Sequence, residues 1–273
     1  MGKTVIATAL CRIFKQDGLR VVPFKSQNMT SNTALLESGG EIAVSQFIQA
    51  IAADVEPDTR MNPVIIKPSP DGQGSQVLLN GSCFDTIRDG NYMEIRKALL
   101  PEIKKAYDSL SGQYDVIVIE GAGSPVELNL NDGEIVNIRI AELAQAPVLL
   151  VSDIDRGGVF ASLYGTVNLL SEAERRFFKA LIVNRFRGDL SLFTDGMNIL
   201  EHITGLPVAG VVPYCDIDLP EEDGETDGAK CSVMASVSGE QLDVIADHVR
   251  LALDMRLIYA ILNSGLDTAR AKQ

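Results

Sequence analysis

Apolar positions along this chain follow two periods that alternate from the first residues. In TVIATALCRIFKQDG (4–18) they recur every three or four residues, which predicts a helix closed by Gly18, and RVVPFK (20–25) follows as a short strand. Beyond a polar loop, GEIAVSQFIQAIAAD (40–54) has helical spacing, NPVIIKP (62–68) and SQVLLNG (75–81) read as extended, and YMEIRKALLPEIKKAYDSL (92–110) is amphipathic. DVIVIEG (115–121), PVLLVSD (147–153) and KALIVNRF (179–186) are continuous apolar strands with a helix between each and the next, and LPVAGVVPY (206–214) is a further one. Strands that are apolar at every position, separated by helices, predict an α/β fold with a mostly parallel sheet covered on both faces. The acidic, aperiodic PEEDGETDGAK (220–230) reads as a linker or surface loop, and EQLDVIADHVRLALDMRLIYAIL (240–262) as one amphipathic helical stretch docked on the domain or on a partner. The expected division is a main domain at 1–224, a linker at 225–239 and a helical tail at 240–273.

Composition adds exclusions. With 46% hydrophobic and 22% charged residues the chain reads as an ordinary soluble globular protein. Its 24 lysines and arginines against 37 aspartates and glutamates give a net charge of −13, which argues against nucleic acid or an anionic membrane as the main partner. The apolar runs are too short to span a bilayer and no basic flank precedes an apolar signal core, so the expected location is cytoplasmic. Cys11, Cys83, Cys215 and Cys231 show no C-x-x-C spacing, and His202 and His248 are the only histidines, which argues against a zinc site or a disulfide framework.

The polar residues that could carry chemistry collect at the carboxyl ends of the strands, where ligands sit in open α/β sheets. Gly2-Lys3-Thr4, leading into a helix, is the last third of a phosphate loop, G-x-x-x-x-G-K-[ST]. In a complete loop the lysine reaches phosphate oxygens and the hydroxyl binds Mg²⁺. Alone the triplet is a weak signal, since any helix start can hold it. Glu120, ending a core strand before Gly-Ala-Gly, is placed to hold Mg²⁺, or is a solvated residue at a glycine turn. Lys25 is either a cation for developing phosphate charge or a surface lysine at a strand end. Asp153, Asp155 and Arg156 precede a Gly-Gly helix entry suited to an anion, with simple capping by Asp155 as the alternative. Asn184 could bind an adenine edge or serve a turn.

Taken together, FKSQNM, GGEI, MNPVIIKP, IEGAGSPVELNL, SDIDRGGVFASLYGT, VNRFRGD and GVVPY closely resemble, in order over residues 1 to about 224, the ATP-dependent synthase domain of the cobyric acid synthases, relatives of dethiobiotin synthetase in the P-loop class. The resemblance implies a P-loop, dethiobiotin-synthetase-like three-layer sandwich. It also implies amidation of carboxylates on a cobyrinic acid a,c-diamide corrinoid, with ATP and Mg²⁺, ammonia coming from glutamine, through acyl phosphates. Carried over by motif, Gly2, Lys3 and Thr4 bind phosphate and Mg²⁺, Glu41 and Glu120 are Mg²⁺ carboxylates, and Lys25 is a phosphate or transition-state cation. Asn184 with the Pro213 region contacts adenine. Ser26, Gln27 and Asn28, together with Asp155 and Arg156, face corrinoid and acyl phosphate. Self-association as a homo-oligomer is compatible with this reading.

Two departures from the family pattern set further expectations. Met1 stands where the residue before the last loop glycine belongs, so the first strand and the front of the loop are missing, which leaves two strand edges exposed and ATP binding in question. No cysteine in a tight elbow with a histidine partner is found, so glutamine hydrolysis is not expected of this chain and ammonia must come from elsewhere. The alternative function is a catalytically impaired remnant or a corrinoid-binding module without ATP turnover. Dethiobiotin-synthetase-like carboxylation fits the SQNM and DIDRGG segments less well.

Overall fold

The computed structural model describes residues 2–69, 74–88, 91–129, 134–216 and 237–270. Helix α1 (Lys3–Gln16) ends as the pattern requires: Gly18, at φ 87°, donates to Lys15 O and Leu19 donates to Phe14 O, a Schellman closure that only a left-handed residue allows. The chain then enters strand β1 (Val21–Phe24), whose four residues are all buried. A second strand, β8 (Val116–Ile119), pairs parallel with β1 from Val21 opposite Val116 to Phe24 opposite Ile119. Strands β9 (Val148–Asp153), β10 (Phe178–Phe186) and β11 (Val208–Pro213) form a parallel sheet in the order β11-β10-β9. The expected α/β architecture is present.

The stretch read as a polar loop and one helix is more structured than its pattern suggests. Gln27–Met29 (β2) pairs parallel with β5 (Val64–Pro68), which continues antiparallel into β6 (Ser75–Leu79) and β7 (Ser82–Ile87). Thr33–Leu35 (β3) and Glu41–Ala43 (β4) form a hairpin, so helix α2 (Val44–Ala52) starts four residues later than Gly40. Backbone bonds from Glu41 to Gly81 O and from Val44 to Asn32 O hold that start, and such long-range contacts leave no periodic trace. Helix α3 (Tyr92–Ser111) follows the amphipathic reading, burying Ile95, Leu99, Ile103, Ala106 and Leu110.

The tail is docked, and it breaks once. Helix α8 (Gly239–Ala252) is opened by a Ser238–Gln241 capping box and packs Leu242, Ile245 and Val249 inward, beside α1. Its side chains fasten to α1 through Arg12 and Asp243 (2.7 Å) and through Arg250 and Asp17 (2.9 Å). The expected continuous helix is interrupted because Leu253 is extended and bridges to Gly210, while Asp254 N donates to Ala209 O at 2.7 Å. Asp254 then accepts from the N–H groups of Arg256 and Leu257, starting α9 (Met255–Arg270). The predicted linker lies almost wholly outside the described residues.

The two parallel sheets face one another across a gap. Among the described residues β8 pairs only with β1 and β9 only with β10, so each presents an unpaired edge. Between them is a cavity of about 290 Å³, lined by Val116–Glu120 and Val148–Ser152 and covered by Leu10 and Phe14 of α1 and Ile258 and Ile261 of α9. Four successive apolar residues of β9, Val148 to Val151, are consequently only half-buried. Two unpaired strand edges thus face each other across this cavity among the described residues.

Candidate functional site

The site is assembled where α1 begins and β1 and β8 end. Gly2 caps α1 at φ 73°, and a β-carbon there would stand 2.1 Å from Asn184 Nδ2, so glycine is needed for both the backbone turn and the close approach of the amide. Lys3 Nζ donates to Gly123 O at 3.1 Å, which ties the start of the helix to the Gly-Ala-Gly turn after β8. Thr4 Oγ1 donates to Glu120 Oε1 at 2.8 Å. The sequence therefore brings Gly2, Lys3, Thr4 and Glu120 to one place, across 116 residues of chain in the case of Thr4 and Glu120.

Glu120 is not the solvated turn residue of the alternative reading. Its side chain and that of Lys25 are 1% and 3% exposed, and Lys25 Nζ lies 3.3 Å from Glu120 Oε1. The other oxygen, Oε2, accepts from Gln49 Nε2 at 2.5 Å. A buried carboxylate costs several kcal/mol unless charge and hydrogen bonds compensate it, and this one has both. The same burial, helped by the Glu120 charge, pushes the Cys11 thiol above its ordinary range, so it stays neutral in the core. Lys25 is held in turn by its backbone: its N–H donates to Met61 O and its carbonyl accepts from Asn62 Nδ2.

Three polar residues of this region gave no signal in the sequence reading. Gln49 is fully buried in α2, one turn beyond the buried Ser45 and Gln46. Asn62 also accepts from Ala43 N, so one amide joins the end of β1 to the start of α2. Asn137 Nδ2 donates to Ala122 O at 2.7 Å, and its Oδ1 leaves no room for a β-carbon on Gly121. A buried glutamine on the core face of an amphipathic helix was the one available hint, since such a side chain must find partners inside.

The other expected site residues are held by partners of their own. Glu41 accepts from Thr33 Oγ1 at 2.5 Å and pairs with Lys67. Ser26, Gln27 and Asn28 are buried: Ser26 Oγ donates to Ile135 O, and Asn28 Nδ2 donates to Gln46 Oε1 and Ser45 Oγ. Side chains turned inward in this way offer no surface to a large ligand. At the end of β9, Asp153 Oδ1 accepts from Asp155 N within a turn and caps no helix, while Asp155 Oδ1 accepts from Arg187 Nε at 2.7 Å. Arg187 lies over the Tyr214 ring at 3.4 Å, Arg156 is exposed, and Pro213 O meets His248 Nε2 at 2.9 Å. Asn184 is buried against Gly2, at the phosphate end.

A divalent cation fits what is present. Thr4, Glu120 and the carbonyl of Gln49 supply oxygen only, the donor type that Mg²⁺ takes, and the Gln49 Oε1 atom is buried without a hydrogen-bond partner among the described residues. No three His, Cys, Asp or Glu side chains converge among the described residues.

A glycine-lysine-threonine helix entry joined to a strand-end carboxylate in a parallel α/β core defines a nucleotide-binding domain. The chain belongs to the CobQ/CobB/MinD/ParA nucleotide binding domain family, whose pattern matches residues 1–225. Within that family it is similar to the cobyric acid synthase of Streptococcus sanguinis strain SK36, at 52% identity over 222 residues, 81% of this chain and 44% of that one. It is likewise similar to the cobyric acid synthases of Caldanaerobacter subterraneus subsp. tengcongensis, at 52% over 83% of this chain and 44% of that one, and Listeria innocua, at 49% over 86% and 46%. The chain thus spans less than half the length of the curated relatives it matches. No described helix is long and apolar enough to cross a membrane.

Proposed function

We propose that this domain binds Mg²⁺ and ATP at the α1 entry and uses them to activate side-chain carboxylates of a corrinoid for amidation, as the name shared by its relatives suggests. The observation that carries the reading is the Thr4–Glu120–Lys25 constellation at a helix N-terminus, with Glu120 and Lys25 buried and Thr4 half-buried. In this reading a substrate carboxylate oxygen attacks the γ-phosphorus and the bond to the ADP oxygen breaks. Ammonia then adds to the acyl phosphate carbon, phosphate leaves with the bonding pair, and a proton is lost to leave the amide.

The chain's own part is positioning and charge. Exposed backbone N–H groups at the start of α1 and the Lys3 ammonium attract phosphate oxygens. Lys25, already desolvated, lies where charge grows on the transferred group, and a preorganised cation in a dry site is worth more than one in water. Thr4 and Glu120 would hold the divalent ion, whose charge would offset that of the phosphates. Arg156, exposed after β9, is the candidate contact to an anionic substrate.

A second reading is favoured by the open cavity beside this site: a nucleotide- or corrinoid-binding module without turnover. One assay separates them. Corrinoid a,c-diamide, ATP, Mg²⁺ and free ammonia are supplied, and ADP and amide are measured for the native chain and for Lys3→Ala. Turnover that falls by about 100-fold or more in Lys3→Ala, with its circular dichroism unchanged, supports the synthase reading. Equal turnover in both removes the phosphate-loop assignment, and binding without turnover in the native chain supports the second reading.

A further inference from the structure

Gln49 lies in the middle of α2, fully buried, and the two ends of its amide are treated differently. Nε2 donates to Glu120 Oε2 at 2.5 Å, whereas Oε1, equally buried, has no hydrogen-bond partner among the described residues. The amide cannot be turned round, because its carbonyl oxygen would then face the carboxylate. A buried carbonyl without a donor is costly, so this end asks for a ligand that donates hydrogen bonds. Gln27 Oε1 and Gln46 Nε2 are also without partners among the described residues, but of the three amides it is Gln49 that bonds to Glu120 there.

We propose that Gln49 is an outer-shell ligand of the divalent cation: its N–H₂ fixes the rotation of the Glu120 carboxylate, and its carbonyl oxygen accepts a hydrogen bond from a water carried by the cation. This inference rests on the nucleotide-site reading. A carboxylate at the end of a glutamate side chain rotates easily, and Thr4 and Lys25 both bind Oε1. Gln49 alone among these donors holds Oε2, so it decides which oxygen meets the Thr4 hydroxyl. Mg²⁺ loses its water reluctantly and keeps several, and these waters are strong donors because the ion polarises them. Outer-shell partners of this kind commonly set metal affinity by 10- to 100-fold. Gln49 is thus a positioning residue for the metal and takes no part in bond making.

The test is a Mn²⁺ titration followed by electron paramagnetic resonance, with a non-hydrolysable ATP analogue present, on the native chain and on Gln49→Met. Methionine keeps the volume and removes both hydrogen-bonding ends. The expected result is a Mn²⁺ Kd raised about tenfold or more with the metal-free affinity for the analogue unchanged, alongside a lowered Tm because Glu120 Oε2 loses its donor. A merely structural glutamine would give the lowered Tm with the same Mn²⁺ Kd, and that result overturns the proposal. Should Gln49→Met fail to fold, the native chain decides the matter by nitrogen-15 NMR. The assigned Gln49 side-chain amide must shift when Mg²⁺ is added to the analogue complex, and a resonance that stays put at saturating Mg²⁺ overturns the proposal equally. A native chain that binds no Mn²⁺ with the analogue removes the nucleotide-site reading itself, and this inference with it.

Discussion

At the scale of single residues, the Glu120 carboxylate is where most of the proposed chemistry meets, and its neighbours make its removal informative. Glu120→Gln keeps the shape and keeps an acceptor for Thr4 Oγ1, but it leaves the Lys25 ammonium, 3% exposed, facing a neutral amide. Breaking one side of a buried pair costs on the order of 3 kcal/mol, more than the pair itself contributes. The expected outcome is a urea midpoint lowered accordingly, together with loss of the Mg²⁺-dependent part of nucleotide binding by calorimetry. A double variant, Glu120→Gln with Lys25→Met, should recover much of the stability and none of the Mg²⁺ dependence. An unaltered Mg²⁺ requirement in Glu120→Gln would count against the assignment. This part of the site was legible in the sequence because each residue sits at a strand end or helix entry, positions that local pattern fixes. Glu41 was not legible in the same way. Its place depends on the β3–β4 hairpin and on Lys67 of a different sheet, and no local pattern announces such tertiary choices.

At the scale of elements, the parallel strands could be read because each is apolar at every position, and α3 because its apolar residues keep one face. What escaped were short pieces held by distant partners: β2, completed by pairing with β5, and the break before Asp254, imposed by β11. The facing edges of β8 and β9 are the feature of this scale that invites a test. Their backbone groups are unpaired across the gap, and the apolar lining leaves little for water to bond. An apolar strand with a short glycine turn, fused ahead of Gly2, would run parallel to both edges and end at the phosphate site. Hydrogen exchange should then slow at Val116–Ile119 and Val148–Val151 together, and filling a gap of this size should raise Tm by roughly 5–10 °C. Exchange that slows at neither strand would mean that the edges do not accept a partner.

At the scale of the molecule, α1 links the two ends of the structure: the phosphate site stands at its first turn, and the docked tail is fastened at its last. Asp17 is the fastening point, accepting from Arg250 at 2.9 Å and from the Tyr259 hydroxyl, while the Tyr259 ring packs edge-on to Phe14. The Arg250 guanidinium holds the Asp17 carboxyl below the usual carboxylate range, against the effect of burial, with the Tyr259 hydroxyl adding to it. Burial first, and then the bond to Asp17, push the Tyr259 hydroxyl up to about 12 from its ordinary 10. The two groups set opposite limits on the docked state. A carboxyl whose pKa is lowered by folding contributes stability above its unfolded value, and that contribution is lost as pH falls through the lower folded value. A phenol whose pKa is raised contributes fully below pH 10, and its contribution is lost as pH rises through about 12. Tail docking should therefore be constant from about pH 5 to pH 10 and weaken on both sides. The difference between the native chain and Tyr259→Phe, titrated at 295 nm, isolates the one phenol and should show a midpoint near 12. A midpoint at 10 would mean that Tyr259 meets water as an ordinary tyrosine and that α9 does not close on α1. Asp17→Asn provides the matching acid-side check: it should lessen the fall in stability that the native chain shows below about pH 4, the remainder coming from other lowered carboxyls such as Asp243 and Asp115.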